Sequence, residues 1–256
     1  MGFEYVSVEE AIGRDGLRMV VVGQVPSPWG EAAKGLFHIE GIDWVGVRLA
    51  YDSEALRQWA GELSGPVAVY GKEPPRPGWR EILLLVERLA PAPRLLPRDA
   101  AAREQVLALA ATICDRGGLN WTRRLQLVHA GLQGRPGFNA RASNYLAKKY
   151  GHSEEEGGAA GARVAELLGA LAVRLKAQHA RGSDYFVGAG LTAADVYVAT
   201  ARALYKPLPH EVCEMVPATR AAYEALDEPT AAALDAVLLA HRDMMYERHL
   251  AMPLRL

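Results

Sequence analysis

Sulfur, aromatic rings and surplus charge are all scarce in this chain of 256 residues. Two cysteines, Cys114 and Cys213, stand far apart with no CxxC pair. That excludes a zinc knuckle and a dithiol redox motif, and makes a reducing compartment the default. Lysine and arginine number 29 against 30 aspartates and glutamates, a formal net charge of −1. Without a basic excess, nucleic acid is not the expected partner. No apolar run reaches the ~18 residues that a membrane span needs. The opening MGFEYVSVEEAIGRDG is acidic, has no apolar core of signal-peptide length, and carries its serine one place beyond the myristoylation pattern. A cytoplasmic protein with no membrane contact is the expectation. The nucleophile-elbow pattern GxSxG is also missing, so the seven histidines supply no serine hydrolase reading. No repeat of fixed period is present.

What is there falls into two regimes. Hydrophobic residues make up 50 % of the chain, enough for one large domain or two modest ones. Over residues 17–99, short apolar runs alternate with helical patterns. LRMVVVG reads as a buried strand, EAAKGLFHIEG as a helix stopped by Gly41, and IDWVGVRLA as a strand. SEALRQWAGEL reads as a short helix opened by Ser53, GPVAVYG as a strand, EPPRPG as a proline-rich turn and REILLLVERLA as a helix. The order β-α-β-α-β-turn-α favours an α/β layer with at least one parallel strand pair.

PAPRLLPRD, residues 91–99, is the linker candidate, and no convincing strand follows it. Six to seven helices are expected from apolar residues recurring at three and four. Gly117-Gly118, Gly134-Arg135-Pro136-Gly137, Gly157-Gly158, Pro207 with Pro209, and Asp227-Glu228-Pro229 are read as the breaks between them. Within this regime, Thr192 before a helix with Asp195 three residues later forms a capping box, and Leu191 with Val196 a hydrophobic staple. Its role is stability, not catalysis.

This layout resembles the cytosolic glutathione transferases from about residue 17 onward. Three stretches carry the resemblance: YFVGAGLTAADVYVATA at 185–201 with its capping box, Gly65-Pro66-Val67 opening a strand, and VPSPWGEAAKG at 25–35 where the first strand meets a helix. The resemblance implies a thioredoxin-like, glutathione-binding domain over residues 1–92, with 1–16 as an N-terminal extension. An all-α domain over 93–256 would carry the co-substrate site. It also implies that Pro66 is cis, with the backbone of Gly65 facing the cysteinyl unit, although the family usually keeps a bulkier residue at that place.

Counting back from Gly41, Ser27 falls where the family keeps a reactive serine or cysteine. At a helix N-terminus, unpaired N–H groups and a partial positive charge stabilise a thiolate. Glutathione, as co-substrate, has a thiol that is largely protonated near pH 7, since a free thiol titrates near ~8.5. Ser27 is then the catalytic candidate, as a hydrogen-bond donor to that sulfur. Its plain alternative is a helix cap before Pro28, a favoured first helical residue. Trp29 is expected to wall the site.

The family opens its next helix with an acidic residue and a serine that bind the γ-glutamyl carboxylate. Here Glu81 matches the acidic residue and Ile82 falls on the serine, without a hydroxyl. Arg80 could replace it through a charge-assisted contact, or face solvent. For the second substrate, GLNWTRRLQLVHAGL at 118–132 offers Trp121 and Arg124 three apart on one helical face. An aromatic plate beside a cation suits a planar or anionic compound. The alternative puts Trp121 in the core and pairs the arginines with acids. Cys114 reads as a small buried hydrophobe. The closing run HRDMMYERHLAMPLRL could fold back over the site.

Two functions follow. One is a glutathione transferase-like enzyme that readies the thiolate for a small apolar or aromatic electrophile, homodimeric by resemblance and without a metal. The other is a non-catalytic binding or scaffold protein on the same fold.

Overall fold

A computed structural model describes residues 3–61, 64–90 and 92–256. Its first half is a mixed five-stranded sheet. The strands are β1 (Glu4–Tyr5), β2 (Leu17–Val21), β3 (Trp44–Arg48), β4 (Val67–Tyr70) and β5 (Arg76–Pro77), in spatial order β1-β3-β2-β4-β5. β2 runs parallel to β3, with Met19 opposite Gly46, and antiparallel to β4, with Met19 opposite Ala68. Every residue of β2 is buried, as its unbroken apolar sequence requires of a central strand covered on both faces. Arg18 is accommodated because its guanidinium donates to the carbonyls of Gly16 and Gly71, both at 2.9 Å.

Helices α1 (Val8–Gly13) and α3 (Glu54–Ala60) cover one face, where Ala11, Val20, Val47, Leu56 and Val67 form a small core. α2 (Pro28–Ile39) and α4 (Gly78–Leu89) cover the other, and their cluster runs on into the helical half. Ser53 caps α3 by accepting the Leu56 N–H at 3.1 Å, as its place in the sequence predicts. Gly41, at φ +63°, ends the α2 turn.

Residues 1–16 do more than extend the chain. β1 adds a parallel edge strand to β3, and α1 packs over the sheet; Met1 and Gly2 lie outside the described residues. The proline-rich turn holds β5, an edge strand where Pro77 disrupts no central ladder. The linker is pinned. Glu87 accepts the N–H groups of Leu95 and Leu96 at 2.8 and 2.9 Å, and both leucines are buried; Pro91 lies outside the described residues.

The second half holds α5 (Ala100–Cys114), α6 (Leu119–Leu132), α7 (Ala140–Tyr150), α8 (Glu154–His179), α9 (Ala193–Ala201), α10 (Pro217–Glu224), α11 (Glu228–Ala233) and α12 (Ala236–Arg248). Two sequence expectations change here. Gly157 and Gly158 do not separate helices; they lie inside α8, which Ser153 starts by accepting the Glu156 N–H at 3.1 Å. The closing helical run is split, because Asp235 accepts the Val237 N–H at 2.9 Å and caps a new helix.

α9 is buried along its whole length. Asp195 Oδ2 accepts both the N–H (2.9 Å) and the hydroxyl (2.8 Å) of Thr192. Its Oδ1 accepts the Phe186 N–H at 2.8 Å and faces His241 Nε2 at 3.2 Å. The C-terminal residues cross the outside of the first half. Arg255 O accepts from Lys34 Nζ (2.8 Å) and the Tyr5 hydroxyl (3.1 Å), and Leu256 O from Arg48 (3.1 Å). They line a small cavity of about 80 Å³ with Glu31, Lys34 and Trp44.

Candidate functional site

The Gly65–Pro66 peptide is cis and opens β4 beside β2. A side chain at 65 would bring its Cβ to 3.3 Å from Val22 N and 3.4 Å from Val20 O, closer than most such contacts. That crowding gives a reason for glycine at this place. Just before the strand, Pro66 O accepts the Gly78 N–H at 3.3 Å and ties the start of α4 to this corner.

Around the corner lies a cleft of about 350 Å³. Trp29 from the first turn of α2, Ser64 to Pro66, and Pro77 with Gly78 form one side. Cys114 at the end of α5, Asp115 and Arg116 after it, Trp121 of α6 and Tyr150 of α7 form the other. Trp29 is fixed by its indole N–H, which donates to Cys114 O at 2.9 Å. Trp121 meets Tyr150 edge-on, their centroids 4.7 Å apart. Arg116 lies over the Trp121 ring at 5.6 Å. Burial, with Asp115 adding to it, pushes the Cys114 thiol well above its ordinary range, so it stays protonated and unreactive at neutral pH.

The neighbouring cavity, about 670 Å³, is lined by Val25, Tyr51, Arg124, Phe138, Tyr223 and the 134–139 loop among others. Arg124 stands between the two spaces. Its guanidinium lies 5.2 Å from the Trp29 ring and donates to the Tyr150 hydroxyl at 3.2 Å, while its Nε has no partner.

The sequence-predicted residues therefore separate. Trp29, Gly65, Pro66 and Trp121 share one cleft, with Arg124 behind its aromatic wall. Ser27 is the N-cap residue of α2 by position, but its side chain makes no cap bond. It is 2 % exposed and lines none of these cavities. Arg80 and Glu81 stand apart from the cleft. Arg80 is exposed beside Arg103 and Leu107, and Glu81 faces Arg76 at 3.6 Å. Ile82 is fully buried in the core, a turn inside α4, so the helix meets the cleft with Gly78 instead. The Trp79 indole donates to Asp115 Oδ1 at 2.6 Å.

Ser64, Pro77, Asp115, Arg116 and Tyr150 are cleft residues that the sequence reading passed over. Asp115-Arg116 directly precedes Gly117-Gly118, and a charged pair on a turn between two helices was the available signal.

No family model matches the chain, and no curated protein does. Solved structures do. A glutathione S-transferase from Methylobacterium radiotolerans in complex with glutathione sulfonate aligns at TM-score 0.58 and 18 % identity, over 91 % of each chain. A rice glutathione transferase in complex with glutathione aligns at TM-score 0.58 and 20 % identity, over 94 % of each. A glutathione S-transferase domain-containing protein from Marinobacter aquaeolei reaches TM-score 0.63 at 13 % identity, over 90 % of this chain and 98 % of that one. At such identities the likeness speaks for the fold.

Proposed function

We propose that this chain, which has the glutathione transferase fold, binds glutathione in the cleft between Trp29, Gly65–Pro66 and Gly78 and presents its thiol to a small apolar or aromatic electrophile. The observation that carries the reading is the meeting, in one cleft of about 350 Å³, of Gly65 and Pro66, the first turn of α2 and the start of α4. The sulfur would sit at the positive end of α2, where a thiolate is favoured over a thiol. Ser27 Oγ accepts no cap bond, and its hydroxyl proton would be the donor to sulfur. Positioning and thiolate stabilisation would supply the rate. Arg116 and the start of α4 would take the γ-glutamyl carboxylate in place of Arg80, since a guanidinium and a helix N-terminus both suit an anion. The electrophile would occupy the cavity beside Arg124. Residues 1–92 would then contribute most of the glutathione contacts and 93–256 the co-substrate site. A cytoplasmic homodimer belongs to the same reading, and a monomer mass by light scattering would remove the dimer.

One observation favours a second reading. Ser27 is 2 % exposed and lines none of the cavities around the cleft. On that reading the chain keeps the fold and binds ligands without activating a thiol.

Two measurements separate them. Glutathione is titrated against tryptophan fluorescence, since Trp29 and Trp121 both line the cleft. The thiolate absorbance of the bound tripeptide is then followed against pH in the wild type, Ser27→Ala and Tyr150→Phe. Saturable binding is expected, with a thiol pKa at least about one unit below the free value of ~8.5 and restored in Ser27→Ala. No binding at millimolar glutathione sinks both the site and the enzyme. Binding with an unshifted thiol selects the scaffold, and a shift lost only in Tyr150→Phe moves the donor role from Ser27 to Tyr150.

A further inference from the structure

A second constellation lies around another cavity of the helical half. His129 projects from the last turns of α6, His152 from the 151–153 connection, and Glu154 is the first residue of α8. Nδ1 of His129 is 3.2 Å from Nε2 of His152 and 3.8 Å from Oε2 of Glu154. All three atoms lie within 4.8 Å of one another. Two nitrogens bound tetrahedrally to Zn²⁺ at ~2.0–2.1 Å stand about 3.3 Å apart, which matches the imidazole pair.

Gly157 supplies an independent observation. A Cβ on that residue would come within 2.5 Å of His129 Nδ1 and 2.5 Å of His152 Nε2. The missing side chain thus lets both imidazoles close on the helix, since the same Cβ would also come within 2.7 Å of His129 Cγ. This is also a physical account of a glycine inside a helix, where it costs about 1 kcal/mol relative to alanine.

We propose that His129, His152 and Glu154 bind one divalent transition-metal ion, Zn²⁺ by preference, in a three-ligand site that ties the end of α6 to the start of α8. Two imidazoles and a carboxylate suit zinc, whereas Mg²⁺ and Ca²⁺ take oxygen donors. His129 and Gly157 line a cavity of about 520 Å³, so a fourth position can be filled by water. The carboxylate must close in from 3.8 Å, and Glu154, whose side chain is 77 % exposed, is free to rotate. Ligation through Nδ1 leaves the His129 proton on Nε2, 3.0 Å from the Gln133 amide. Gln133 is exposed and turns its oxygen toward that proton, releasing Arg135, which now donates to it at 2.5 Å. None of His129, His152, Glu154 and Gly157 lines the cleft, so this site is distinct from it.

The test uses the full chain, stripped of metal by a chelator and without glutathione, which itself binds zinc. Zn²⁺ is titrated by calorimetry, Co²⁺ by its visible absorption, and Tm is read with Zn²⁺ or Mg²⁺ present. One equivalent of Zn²⁺, a Tm rise of several degrees with Zn²⁺ and none with Mg²⁺ are expected. His152→Ala and Glu154→Gln should each weaken Zn²⁺ binding at least about tenfold. Gly157→Ala should do the same by filling the space, while glutathione binding in the cleft is retained. Should His152→Ala fail to fold, the exposed Glu154→Gln decides alone. A wild type whose Tm ignores Zn²⁺, or variants that bind it with unchanged affinity, would overturn the proposal.

Discussion

Arg123 and Arg124 are neighbours on α6 and meet opposite fates. Arg123 is 1 % exposed and its guanidinium is fully engaged: Nε donates to Leu204 O, Nη1 to Gln126 Oε1, and Nη2 to Tyr223 O and Ala225 O, all within 3.0 Å. Arg124, one residue on, faces Trp29 and Tyr150 with a single side-chain hydrogen bond and an unpartnered Nε, at the wall of an open cavity. The first face of the helix is closed by its own hydrogen bonds and belongs to the fold. The second keeps donor capacity beside empty space and is fit for a ligand. Want of partners alone does not make that distinction. All three nitrogens of Arg202 lack partners too, yet the residue is fully buried and lines none of the cavities described above. The combination of spare capacity with a cavity is what separates Arg124.

Replacing Arg123 with alanine is the strongest way to break this contrast. It strands the carbonyls of Leu204, Tyr223 and Ala225 and the Gln126 oxygen, and should cost about 3–5 kcal/mol in chemical denaturation. A loss below about 1 kcal/mol would mean that the closed face is not structural. Asp195→Ala extends the test to the other closed network. The variant removes the acceptor for Thr192, Phe186 and His241 together, and a loss of about 3 kcal/mol is expected. Its glutathione affinity, read on the folded variant, should not move.

Arg124→Met probes the open face. Stability should change by less than about 1 kcal/mol. If the proposed reaction is right, kcat/KM for the electrophile should fall about tenfold, with the glutathione Kd held. Equal losses of stability in Arg123→Ala and Arg124→Met would erase the comparison.

The smallest effect concerns Glu40, another group with unpartnered oxygens away from the cleft. Burial, with the Glu87 charge adding to it, pushes the Glu40 carboxyl up to about 7. The folded chain therefore holds this proton more tightly than the unfolded one, whose carboxyl titrates near ~4.3. The contribution to stability is full below that value and is lost as pH rises through about 7. Glu40→Gln should be more stable than the wild type at pH 8, by no more than about 1 kcal/mol for a partly buried group. The difference should vanish by about pH 4, and pH-dependent thermal melts would show it.

Much of this molecule was legible as a string. β2, β3 and β4 follow from apolar runs, and Ser53, Thr192 with Asp195, and Gly41 mark helix ends through contacts spanning only a few residues. The split at Asp235 and the continuity of α8 through Gly157 were not legible, because a cap and a tolerated helical glycine use the same residue types as breaks. In the cleft, Trp29, Gly65, Pro66 and Trp121 were found from local pattern and resemblance. Glu81 was matched to it by resemblance, with Arg80 offered in place of the serine that Ile82 lacks, and the structure puts all three elsewhere: Arg80 in solvent, Glu81 against Arg76 and Ile82 in the core.

The sequence by itself determined the order of elements, their caps and the division into a sheet-bearing half and a helical half. Those signals act within a turn or a strand, where a neighbour three or four residues away is also a neighbour in space. Only the tertiary structure decided which face of α6 is closed and which open, and that Arg116 rather than Arg80 lines the cleft. It alone brought His129, His152 and Glu154 together in front of Gly157. Those outcomes depend on how helices far apart in the chain dock, and docking is set by the fit of whole buried faces.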